Sequence, residues 1–134
     1  MRSPYFLLVF VLMQISAAYA APVEVVSGQT TYISGGIGSD EAAEMKSMAS
    51  RYVLEVVSVV KADPREQYTA DYRILIKDAT GKTVLDAVSE GPFFLANLPD
   101  GNYQVEATQD GVRKSQRTSV KKGAHRRLVF VWPQ

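Results

Sequence analysis

From residue 51 onward, apolar side chains recur at alternate positions in short runs, broken by polar, proline-bearing and glycine-bearing segments. Alternation with period two marks a strand with one buried face. Residues 51–60 (RYVLEVVSVV) are rich in β-branched side chains, and period two puts Tyr52, Leu54, Val56 and Val60 on one face. Residues 61–67 (KADPREQ) are polar and end the run. Ala70, Tyr72, Ile74 and Ile76 then alternate with Asp71, Arg73 and Lys77, and residues 82–88 return as the partner strand. Between these two, Asp78-Ala79-Thr80-Gly81 fits a type I turn. Gly91-Pro92 stops the chain before Phe93-Phe94-Leu95, and Pro99-Asp100-Gly101 forms a turn in which Gly101 is expected to take positive φ. Tyr103, Val105 and Ala107 alternate next. Asp110-Gly111 is a hairpin signal, leading to strands at 112–120 and 127–132. Short strands at regular spacing predict an all-β sandwich or barrel.

The N-terminal part is patterned differently. Residues 23–26 and 30–33 look extended and precede Ser34-Gly35-Gly36-Ile37-Gly38. A short helix is predicted over about 40–49, with Ser39 as N-cap and Asp40 and Glu41 complementing the helix dipole. Ala42, Met45, Met48 and Ala49 make its apolar stripe. Still earlier, residues 5–13 (YFLLVFVLM) are uninterrupted apolar residues behind a single charge, Arg2, and Ala18-Tyr19-Ala20 offers small residues at a cleavage site. Residues 1–20 therefore read as a secretory signal peptide cut after Ala20. The apolar run is too short to span a bilayer, so no transmembrane segment is expected in the mature chain. An exported protein follows, periplasmic or extracellular.

Cleavage leaves 114 of the 134 residues, the size of one domain. Residues 21–50 are read as extended segment, glycine loop and helix, and residues 51–134 as the β domain. The chain has no cysteine, so no disulfide staples it. Its net charge is only +1, but the distribution is uneven. Residues 21–110 hold 14 acids and 7 bases, whereas residues 111–134 hold 7 bases and no acid. Either the terminal bases pair with acids on neighbouring strands, or they face an anionic partner.

Residues 91–105 (GPFFLANLPDGNYQV) resemble the Leu-Pro-Asp-Gly-x-Tyr-x-Val signature of the carboxypeptidase regulatory-like, or transthyretin-like, domain. That resemblance covers about residues 51–132 and implies a seven-stranded Greek-key β-sandwich, here with one short N-terminal helix. In such a sandwich the motif's tyrosine buries its ring and bonds backbone through its hydroxyl. The whole chain is also similar to small bacterial envelope proteins that join this domain to an S-G-G-I-G-x-D-E segment, found here at residues 34–41. The resemblance implies fold and location and carries no activity with it.

Catalytic chemistry finds little support in the residues. A zinc carboxypeptidase site needs several histidines, and His125 is the only one. The relative hydroxyisourate hydrolase ends in Tyr-Arg-Gly-Ser, whereas this chain ends Val131-Trp132-Pro133-Gln134. There is no cysteine nucleophile and no Gly-x-Ser-x-Gly elbow. The glycine loop matches neither phosphate-binding pattern, and Asp40 and Glu41 place negative charge where a phosphate would sit. Asp40, Glu41 and Glu44 on one helix turn do not converge as a calcium cage. No metal, cofactor or nucleic acid is therefore expected.

What is expected is a non-enzymatic binding or scaffold module of the cell envelope. Its partner would be another envelope protein or an anionic envelope surface. The candidate residues are Gly35, Gly36, Gly38, Asp40 and Glu41 in the loop, and Arg113, Arg117, Lys121 and Lys122 in the basic hairpin. The alternatives are a structural homo-oligomer of transthyretin-like sandwiches, or a hydrolase acting through a carboxylate pair with one raised pKa.

Overall fold

The structure, a computed structural model, describes residues 22–62 and 64–133. The signal peptide read over residues 1–20 lies outside the described residues. Ten strands, one α-helix and one 3-10 turn occur among them. In order they are β1 (Val25–Ser27), β2 (Thr30–Gly35), α1 (Ser39–Met48), the turn Ala49–Arg51, β3 (Leu54–Val60) and β4 (Gln67–Tyr68). There follow β5 (Tyr72–Asp78), β6 (Thr83–Ser89), β7 (Phe93–Asn97), β8 (Gly101–Gln109), β9 (Val112–Val120) and β10 (Arg126–Trp132). One sheet runs β1-β2-β7-β3-β10, with β4 also paired to β3; the other runs β6-β5-β8-β9. The β3–β10 pairing is parallel and every other is antiparallel.

The chain is thus mainly β, as its alternation predicts, but with ten strands where seven were expected. The difference lies in β1, β2 and the two-residue β4. The N-terminal segment turns back at Gly28, whose φ is +59°, and zips β2 onto β7 from Thr31 opposite Asn97 to Gly35 opposite Phe93. Edge pairing of this kind depends on a partner some sixty residues away, so local pattern does not show it.

Two apolar layers hold these elements. Tyr72, Ile74, Ile76, Phe94, Val105 and Phe130 are among the side chains buried between the sheets. Ile33, Met45, Tyr52, Val57, Val59, Phe93 and Leu95 form a second cluster, against which α1 lays Ala42 and Met48. Strand β3 serves both: Leu54 and Val56 belong to the first cluster, Val57 and Val59 to the second. A strand buried on both faces reads as a continuous apolar run, which is why residues 54–60 hardly alternate. Tyr52, expected beside Leu54 and Val56, belongs instead to the helix-side cluster, because the chain enters β3 from the 3-10 turn.

Local chemistry sets the turns. At Asp110-Gly111 both residues have positive φ, +46° and +78°, as a type I′ hairpin requires. Asp78 accepts from the Thr80 amide at 2.9 Å, the Thr80 hydroxyl at 2.6 Å and the Lys82 amide at 3.0 Å. These bonds, the Thr80 side chain first, lower its carboxyl pKa. Two expectations need correction. Gly101 is the first residue of β8 and is not among the positive-φ glycines, so its place in the turn is not a conformational necessity. Gly38, not Ser39, caps α1; the Glu41 carboxylate instead reaches back to the Gly36 amide at 2.8 Å and closes the loop.

Buried phenols make the fold sensitive to alkali. Tyr52 donates its hydroxyl to the Glu24 carboxylate; burial, then Glu24, pushes its pKa up to about 12. Burial also raises Tyr72, whose hydroxyl donates to the Pro92 carbonyl at 3.0 Å. Both groups stay neutral in the folded chain while an unfolded phenol ionises near pH ~10. Their contribution to stability is therefore complete below about pH 10; that of Tyr52 is lost as the pH rises through about 12, and that of Tyr72, whose pKa is raised further, continues to fall beyond it. The denaturation midpoint is expected to fall from about pH 10 upward, and to fall less in Tyr52→Phe. Equal midpoints at neutral and strongly alkaline pH would contradict this assignment.

Candidate docking surfaces

The basic hairpin is built by β8 and β9. Tyr103, Val105 and Ala107 of β8 point into the core, so Gln104, Glu106 and Thr108 face outward. Antiparallel register sets Arg113 opposite Thr108, Ser115 opposite Glu106, Arg117 opposite Gln104 and Ser119 opposite Asn102. Directly opposed residues share a face, so Arg113, Ser115, Arg117 and Ser119 stand on the outer face, as alternation predicts. Two guanidinium-bearing positions four residues apart on one strand are separated by roughly 13–14 Å. Lys121 and Lys122 follow at the turn, and all four basic residues are exposed.

None of these four side chains has a carboxylate partner among the described residues. Glu106, their nearest acid in the register, lies 3.8 Å from Lys77 on the other side of β8. Arg73 and Asp86 form a bidentate pair, with bonds of 3.0 and 2.7 Å. The pairing expected of terminal bases is realised by Arg127, whose Nε is 3.0 Å from Glu55. His125 joins that group, its Nδ1 2.8 Å from the Tyr52 carbonyl and its Nε2 3.5 Å from Glu55.

The glycine loop lies elsewhere. Its strand β2 packs near β6, whereas β9 packs near β10, so the two candidate surfaces occupy opposite sides of the sandwich. Packing dictates one of the three glycines, Gly36. A Cβ on Gly36, at φ +104°, would enter the Phe93 ring, and one on Gly35 would meet the Glu41 carboxylate. Gly38 has φ +84° with open space around it. Asp40 is exposed at the helix start, and Glu41 is engaged with the Gly36 amide.

Beside the basic face is an open cleft of about 570 Å³ lined by residues that include Asp78, Asn102, Tyr103, Arg117 and Ser119. Its single carboxylate already accepts three bonds inside its own turn, which leaves it poorly placed to take a proton from a substrate. Tyr103 donates to the Pro99 carbonyl at 2.6 Å; burial, then Asp78 and Asp100, raises its pKa. No group of three metal-ligating side chains occurs among the described residues, and no helix among them is long and apolar enough to cross a membrane.

Sequence reasoning missed two features. Lys114 and Gln116, on the inner face of β9, donate to the carbonyls of Val131 and Val129 on β10, the Gln116 bond being 2.9 Å. Val23, Val25, Ile37 and Val88 are all exposed and line a groove at the opposite side of the sandwich. Lys114 and Gln116 could have been suspected, since both fall on inward positions of a strand where apolar residues belong. No protein-family model matches the chain, and no curated protein matches it.

Proposed function

We propose that this chain is an exported, non-enzymatic binding module of the cell envelope that docks on an anionic envelope surface through the outer face of β9. The observation that carries the reading is the set of four exposed bases, Arg113, Arg117, Lys121 and Lys122, with no carboxylate partner among the described residues. Exposed ion pairs contribute little to folding, so a fold has no need to concentrate bases on one hairpin. A surface of opposite charge gives them a use, through attraction that salt screens.

The fold's finer identity belongs to the same proposal. Without β1, β2 and β4, seven strands are left, three in one sheet and four in the other. That number, and a motif tyrosine bonded to the backbone four residues upstream, favour a carboxypeptidase regulatory-like, transthyretin-like sandwich. Export rests on the leader pattern at residues 1–20.

The test is co-sedimentation of residues 21–134 with phosphatidylglycerol vesicles and with phosphatidylcholine vesicles. Retention is expected on the anionic vesicles alone and is expected to decline steadily as salt rises. Equal retention on both, or none on either, sinks the proposal.

A further inference from the structure

The two open sides of the sandwich are finished differently. Along β9 and β10 the edge is sealed: Lys114 and Gln116 from one sheet cap the Val131 and Val129 carbonyls of the other. Lys114 also lies 5.8 Å from the Trp132 ring centroid. Capped carbonyls and basic side chains are devices that keep a sheet edge from pairing with another chain.

Along β1 and β6 no strand carbonyl is capped by a side chain of the other sheet among the described residues; the cross-sheet bond found there is made by the Glu90 amide, just past the end of β6, which donates to the Ser34 hydroxyl of β2 at 3.1 Å. Sheet order gives five strands abreast in one sheet and four in the other. With β10 near β9 and β2 near β6, β1 overhangs by one strand. All three of its residues are exposed, and β6 has a strand partner, β5, on one side only. Under the overhang runs a groove lined by Pro22, Val23, Val25, Tyr32, Ile37 and Val88. Val23 is 78% exposed, Val25 41%, Ile37 62% and Val88 58%, apolar side chains gathered at one groove rather than scattered singly over the surface. The charged residues of this lining are Glu41 and Glu90, and no base is among them.

We infer that this groove receives an extended peptide segment of another protein, added beside β6 as the missing fifth strand. The segment's main chain takes the bonds that the β6 edge offers. Its alternate apolar side chains meet Val25 and Tyr32, and a lysine or arginine near one end meets Glu90. Strand addition of this kind draws affinity from the backbone and specificity from alternate side chains. Charge complementarity favours such a segment over a second copy of this chain, whose own residues here are apolar and acidic. The inference is independent of the β9 surface.

A random heptapeptide phage library panned against the mature chain tests it. Enriched peptides are expected to alternate apolar residues and to carry net positive charge. The leading peptide, synthesised with a fluorophore, is expected to bind at least about tenfold more weakly to Val25→Lys, because a charge would then face the apolar floor, and also to Glu90→Lys. It is expected to bind normally to Arg113→Glu/Arg117→Glu/Lys121→Glu. Melting curves establish that each variant is folded, and Glu90→Lys, at an exposed position, serves if Val25→Lys is not. A failure to enrich, enrichment of acidic peptides, or affinity unchanged in Glu90→Lys overturns the proposal. So does a concentration-dependent dimer of the wild type that Val25→Lys disperses, which would assign the groove to a second copy.

Discussion

Tyr103→Ala is expected to cost about 3–5 kcal/mol, a large share of the stability of a domain this size. The ring is 7% exposed and belongs to the cluster between the sheets. Its hydroxyl donates to the Pro99 carbonyl at 2.6 Å, fixing the chain where it returns from β7 into β8. Truncation opens a cavity and leaves that carbonyl without its donor. Tyr103→Phe keeps the packing and loses only the hydrogen bond, for roughly 0.5–1.5 kcal/mol. Gly101→Ala is the complementary control. Its new Cβ would lie 3.6 Å from the Tyr103 ring, an ordinary contact, and its φ is not left-handed, so a small effect is expected. Denaturant titration separates the three variants. A wild-type midpoint for Tyr103→Ala, or a collapse for Gly101→Ala, would refute this picture of the corner.

Gly91→Ala is expected to destabilise by about 3 kcal/mol, at the upper end of what overpacking usually costs. A Cβ at this position would strike the main chain of Gly35, backbone that cannot swing aside as a side chain could. The same stretch is tied on every side. Ser89 donates its hydroxyl to the Gly91 carbonyl at 2.7 Å, the Tyr72 hydroxyl reaches the Pro92 carbonyl, and Gly35 pairs with Phe93. Separating β2 from residue 91 would strain all of these contacts. Gly38→Ala offers the contrast, since it has open space and only the left-handed φ of +84° to bear, at about 1–2 kcal/mol. If Gly91→Ala melts like the wild type while Gly38→Ala does not, conformation rather than close approach governs this region.

Much of the β architecture was legible because its strands have one wet face. The alternation at residues 70–76 and 103–107 follows the buried positions of β5 and β8, and Asp110-Gly111 marks the hairpin that joins β8 to β9. Strand β3 was legible as a strand, and its Leu54, Val56 and Val60 face packs between the sheets as read; its second buried face, with Val57 and Val59, was not legible, because apolar neighbours on both faces erase the period. The N-terminal hairpin was read as extended without a place in the sheet, since its partner is β7. Outward placement of the bases of β9 follows directly from alternation. Their lack of partners does not, because it depends on Lys77 taking Glu106 and Arg127 taking Glu55 across strands. The groove beneath β1 could not be read at all: it arises from the unequal widths of two sheets, a property of the assembled fold.

The central claim is that the outer face of β9 binds rather than stabilises. Arg113→Glu/Arg117→Glu/Lys121→Glu tests it most directly, measured for melting temperature and for retention on phosphatidylglycerol vesicles. None of the three bases has a carboxylate partner among the described residues, so reversal is expected to leave the melting temperature nearly unchanged. Retention is expected to be lost. A variant that unfolds, or one that folds and is retained like the wild type, would contradict the account and return these bases to a purely structural role.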